Sequence, residues 1–120
     1  MKKWISFDFD GVLATYEGWK GVDVLGDPNP KAINAVQTLK NKGYKILIWT
    51  TRQATPVLKD WLKRNGVAYD AINTADHNPP DTSMKPIAHC IVDDRALRYD
   101  GQNTEDLVLQ IETYVKGKED

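Results

Sequence analysis

Lys45-Ile46-Leu47-Ile48-Trp49, followed by Thr50-Thr51-Arg52, decides how this chain folds. Its first five positions are almost wholly apolar and do not alternate. Such a run suits a parallel strand covered on both faces. Upstream, positions 30–42 carry Ile33, Val36 and Leu39 near helical spacing, with Ala32 and Ala35 beside them. Asn29 can cap that helix, Pro30 suits its first position, and Gly43 suits its end. Downstream, positions 56–65 place Val57, Leu58, Trp61 and Leu62 on one face, and Gly66 stops the helix. Further out lie Ile5-Ser6-Phe7, a weaker apolar run over 67–72, and another continuous run over 88–92. A last helix over 104–115 has Leu107, Val108, Ile111 and Val115 in register, with Asn103 and Asp106 as a capping pair. This alternation predicts an α/β domain: an open parallel sheet with helices on both faces. Residues 11–28, 73–85 and 96–102 stay unassigned, with Leu97-Arg98-Tyr99 a candidate edge strand.

Length and composition narrow the function classes. The chain has 120 residues, the size of a single domain over 1–120. Sixteen Lys+Arg against seventeen Asp+Glu give a net charge of −1, so there is no global attraction to nucleic acid or to an anionic membrane. No stretch approaches the ~18–20 apolar residues of a membrane span, and no leader pattern is visible. The single cysteine, Cys90, excludes an internal disulfide, fits a reducing compartment, and is expected to be buried in its strand. A cytoplasmic location is the expectation. No repeat or linker is visible, and the tail at 116–120 reads as a frayed mixed-charge end.

Sites in open α/β sheets form beyond the carboxyl ends of the strands. Asp8-Phe9-Asp10-Gly11 follows the first strand, Thr50-Thr51-Arg52 the second, and Asp93-Asp94 the last, with Lys85 before it. Adjacent carboxylates at the end of a buried strand repel one another and need a cation or donors. The chemistry that fits is phosphoryl transfer to a carboxylate. Asp8 and one of the late aspartates would hold Mg²⁺ through hard oxygen ligands. Asp8 would attack phosphorus; Asp10 would protonate the leaving alcohol and then activate water. Thr50 would donate to a phosphoryl oxygen, and Lys85 would neutralise charge.

Phe7-Asp8-Phe9-Asp10-Gly11-Val12-Leu13 resembles the first motif of the haloacid dehalogenase-like (HAD) hydrolase superfamily. Thr50 resembles its second motif, Lys85 its third, and Ile91-Val92-Asp93-Asp94 its fourth, in the right order from Trp4 to Tyr99. The resemblance implies a three-layer Rossmannoid sandwich and a Mg²⁺-dependent phosphatase. It implies Asp8 as nucleophile, and Asp10 as acid/base that also binds metal through its backbone carbonyl. It implies a metal ligand from Asp93 or Asp94, of which Asp93 is favoured as the direct one. Asp10 separates the chain from the dehalogenases and from the transport ATPases, which lack an Asp there. The first gap between motifs leaves room only for a small flap at 11–28, and the second is filled by a helix, a strand and a loop. A capless member is therefore expected, and hydrolysis is favoured over mutase chemistry.

Substrate-binding candidates are Gly11, Thr51, Arg52, Trp19 and His77. Arg52 reads equally well as a helix-start surface residue, Trp19 as flap packing, and His77 as a solvated loop residue. His89 reads as a satisfied core or edge histidine. The expected substrate is a small phosphate ester, such as a nucleotide or sugar phosphate. The alternatives are a polynucleotide end or a phosphoprotein reaching an open site, and a homo-oligomer whose second subunit supplies a lid. Two further readings stand beside this one. A response-regulator receiver also joins clustered Asp, a Thr and a Lys, but in another order, with Asp70 as the sole candidate acceptor. A non-catalytic binding module on the same scaffold is the other.

Overall fold

The computed structural model of the chain describes residues 2–117, so Met1 and the tail beyond Gly117 lie outside the described residues. The elements are β1 (Trp4–Phe7), α1 (Pro30–Asn41), β2 (Lys45–Ile48), α2 (Pro56–Arg64), β3 (Ala71–Ile72), β4 (Cys90–Val92) and α3 (Thr104–Lys116). The strands form one sheet in the order β3-β2-β1-β4, and every pairing is parallel. The expected α/β architecture is therefore present. The order reverses at β1, which places a crevice at the carboxyl ends of the central strands.

Register and alternation explain the core. Ile5 pairs with Ile46 and Phe7 with Ile48, so these four side chains share one face. They pack with Ile33 and Val36 of α1 and with Leu58, Trp61 and Leu62 of α2. Asn29 caps α1 by accepting from the Lys31 N–H, and it also donates to the Val12 carbonyl. Thr55, not read as a cap from the sequence, accepts from the Leu58 N–H at the start of α2. The opposite face holds Ser6, Leu47 and Ile91. Ser6 and Leu47 are buried, whereas Ile91 is 55% exposed.

Four expectations change here. The weak third run is a strand only at Ala71–Ile72. Val67 is buried all the same, because it packs from the turn after α2. Leu97-Arg98-Tyr99 forms no strand. Cys90 is exposed, because β4 is an edge strand and no described residue covers it there. Helix α3 forms as expected, with Asn103 accepting from the Asp106 N–H, yet it buries none of its residues. Its apolar stripe predicts a covered face; in the fold Val108, Leu109, Ile111, Tyr114 and Val115 stay exposed.

Candidate functional site

The carboxyl edge of the sheet is stitched by backbone bonds just past each strand. The Asp8 N–H donates to the Val92 carbonyl (2.9 Å), the Trp49 N–H to the Phe7 carbonyl (3.0 Å), and the Asn73 N–H to the Ile48 carbonyl (2.9 Å). The residues following β1, β2 and β4 are thereby held side by side. Asp8, Asp10, Thr50, Thr51, Asp93 and Asp94 line one cavity of about 470 Å³, together with Tyr16, Trp19, Trp49 and Arg95.

Asp8, Asp93 and Asp94 each bring a carboxylate oxygen to within 4.8 Å of the others. The Asp8 Oδ1 accepts from the Phe9 N–H (2.7 Å), which orients the group. Burial outweighs that bond, and repulsion from Asp93, Asp94 and Asp10 adds to it, so the Asp8 carboxyl is pushed up from 3.8 to about 6. A cluster of hard oxygens under mutual repulsion fits a cation such as Mg²⁺. Asp93 Oδ1 accepts from the Arg95 N–H (2.8 Å), and both late aspartates stand beside Asp8.

Gly11 makes this packing possible. It sits at φ +82°, where side chains are disfavoured, and a Cβ there would overlap the Asp94 carboxylate. Glycine at this position is a requirement of the acidic cluster, and no ligand contact need be assumed for it.

Asp10 is fixed by a different partner. Arg52 Nε donates to Asp10 Oδ2 (2.8 Å), leaving Asp10 Oδ1 buried with no partner among the described residues. Arg52 itself is 5% exposed. Its other nitrogens donate to the carbonyls of Gly21, Val22 and Val24, and its guanidinium lies over the Trp19 ring at 4.7 Å. Arg52 thus holds the 11–28 flap onto Asp10. The flap is also tied to α2, because Trp61 Nε1 donates to the Gly26 carbonyl.

Thr50 Oγ1 accepts from the Arg52 N–H (3.1 Å), so its own hydroxyl proton is left to donate into the cavity. Asn73 positions this loop. Its Oδ1 accepts from the Thr50 N–H (2.9 Å), and its Nδ2 donates to the Arg52 carbonyl (2.7 Å). Sequence reading missed Asn73. The available signal was a polar residue directly after β3 at the same edge, and its positive φ of 53° suits asparagine.

Two expected site residues are not brought to this group. Lys85 is exposed on the loop before β4 and does not line the cavity. β4 begins at the opposite edge, where the His89 N–H donates to the Trp4 carbonyl. His77 is on that side too, stacked on Trp4 with ring centroids 4.0 Å apart and with Nε2 bonded to the Ile87 carbonyl. His89 is an edge histidine whose Nδ1 accepts from the Trp4 N–H. Asp70 precedes β3 at the amino edge and is bonded to Lys40, so the receiver reading finds no acceptor in the cavity.

Neither a family model nor a curated protein matches the chain. Two solved structures share its fold. One is a conserved protein from Bacteroides thetaiotaomicron, 21% identical, with a TM-score of 0.63, covering 99% of this chain and 94% of that one. The other is a structural-genomics target from Vibrio cholerae, 22% identical, with a TM-score of 0.52, covering 97% and 99%. At these identities the likeness concerns the fold alone. No helix among the described residues is long and apolar enough to cross a membrane.

Proposed function

We propose that the chain is a Mg²⁺-dependent phosphomonoesterase of the HAD type that works through an aspartyl-phosphate on Asp8. One observation carries this reading: Asp8, Asp93 and Asp94 gather within 4.8 Å of one another in a cavity that Asp10 and Thr50 also line. Asp8, Asp93 and Asp94 would hold the cation, which when bound offsets the repulsion between an anionic phosphate and an anionic nucleophile.

The chain's own groups supply the remaining chemistry. An Asp8 oxygen attacks phosphorus, and the bond from phosphorus to the leaving oxygen breaks. Asp10, which lines the cavity beside Asp8, carries the proton to the leaving alcohol. In the second half Asp10 takes a proton from water, which attacks phosphorus and frees the Asp8 carboxylate. Thr50 donates to a phosphoryl oxygen throughout. Arg95, which lines the cavity, supplies positive charge where the sequence pattern assigns it to Lys85.

Hydrolysis of a generic aryl phosphate tests this reading. Turnover is expected with Mg²⁺, is lost in EDTA, and falls by about a thousandfold or more in Asp8→Asn, as for other essential nucleophiles. Turnover that survives either change overturns the proposal.

A further inference from the structure

The cavity has an aromatic lip that the phosphoryl chemistry does not use. Trp19 and Trp49 both line it, yet they are 54% and 39% exposed. Large aromatic side chains bury well over 100 Å² when they can, so an indole left open at a cavity mouth is informative. Trp19 is also held in place. Arg52 sits over its ring at 4.7 Å and is itself locked by Asp10 and three flap carbonyls. With the guanidinium on one ring face, an indole that is both exposed and fixed offers a platform to a flat ligand.

We propose that Trp19 is a stacking platform for a nucleobase, and that the substrate is a nucleoside monophosphate. This rests on the phosphatase reading of Asp8 and names its leaving group. Charge and volume select a single nucleotide over a nucleic-acid strand. The cavity lining itself includes four carboxylates, one arginine and no lysine, which disfavours a phosphate backbone running through it. Its volume of about 470 Å³ falls within the ~300–1,000 Å³ of small-ligand pockets. Every base has a π-face, so the platform selects for planarity more than for base identity.

The test compares the four ribonucleoside 5′-monophosphates with ribose 5-phosphate, which keeps the phosphate and sugar and lacks the base. Wild type, Trp19→Phe and Trp19→Ala are each assayed with Mg²⁺. Binding of the best nucleotide is followed separately by tryptophan fluorescence, and circular dichroism checks the fold of each variant. Wild type is expected to favour the best nucleotide over ribose 5-phosphate by roughly tenfold or more in kcat/KM. Trp19→Ala is expected to erase most of that ratio through KM, and Trp19→Phe to keep most of it. Equal use of both substrates by wild type, or a ratio untouched by Trp19→Ala, overturns the platform while leaving the phosphatase reading in place. Trp19-dependent nucleotide binding without any turnover supports the platform and counts against the phosphatase reading. Neither binding nor turnover overturns the platform.

Discussion

Asp8 is a carboxylate whose surroundings oppose its charge. Burial and three neighbouring aspartates push its carboxyl up to about 6, above its ordinary 3.8. A bound cation reverses the sign of that environment, because it favours the ionised form. Under the proposed function, with Asp8 as a cation ligand, protons and Mg²⁺ would compete for the same oxygen. The apparent Mg²⁺ affinity is expected to be flat above pH 6 and to weaken by about tenfold per pH unit below it, for one displaced proton. Calorimetric titration from pH 5 to pH 8 checks this. In Asp8→Asn the slope is expected to vanish along with most of the affinity. An affinity that does not change between pH 5 and pH 7 contradicts the assignment of Asp8 as a ligand.

At the scale of elements, each end of the β2–β3 joint is fastened by one side chain. Asn73 holds the carboxyl end through Thr50 and Arg52. Asp70 holds the amino end: it accepts from Lys40 Nζ (2.6 and 2.8 Å) and from the Ile46 N–H (2.8 Å), with Lys45 Nζ at 3.5 Å. Burial alone would raise the Asp70 carboxyl, but these donors and charges outweigh it and hold the carboxyl below 3.8. A depressed carboxylate stabilises the fold above its unfolded pKa and loses that contribution as pH falls through its folded pKa. Asp70→Ala is expected to cost about 1–2 kcal/mol at neutral pH, kept modest by solvent screening of the pair. The difference from wild type is expected to shrink as pH falls below about 4. Urea unfolding at several pH values checks both, and a constant difference down to pH 2 contradicts the ion-pair account. These fastenings also show what sequence can convey. Asp8, Asp10, Thr50, Asp93 and Asp94 were legible because each stands within three residues of the end of a strand whose apolar pattern is plain. Asn73 and the clamp of Arg52 on the flap were not, because their meaning depends on partners in other elements. Lys85 was placed by motif order and His77 only by its position in the loop before it, and the 73–89 loop has no periodicity to show which sheet edge it serves.

Across the whole molecule, the core is concentrated under α1 and α2, and α3 adds nothing to it among the described residues. Leu62 is fully buried, whereas Leu109 of α3 is 66% exposed. Leu62→Ala is expected to cost about 2–5 kcal/mol. Leu109→Ala is expected to stay within about 0.5 kcal/mol. Thermal unfolding of the two variants checks the contrast, and equal losses contradict the packing described here. The same asymmetry limits what the sequence of α3 could reveal. Helical spacing of Leu107, Val108, Ile111 and Val115 marks an apolar face correctly but does not say what covers it. The central claim concerns one carboxylate at the carboxyl edge of the sheet, and trapping the intermediate tests it most directly. Asp10→Asn, mixed with Mg²⁺ and an aryl phosphate bearing a good leaving group, is quenched in acid and digested for mass spectrometry. The account predicts one phosphoryl group on the peptide carrying Asp8, absent when Asp8→Asn is added to the variant. A phosphoryl group on any other residue, or undiminished steady turnover by Asp10→Asn, would contradict it.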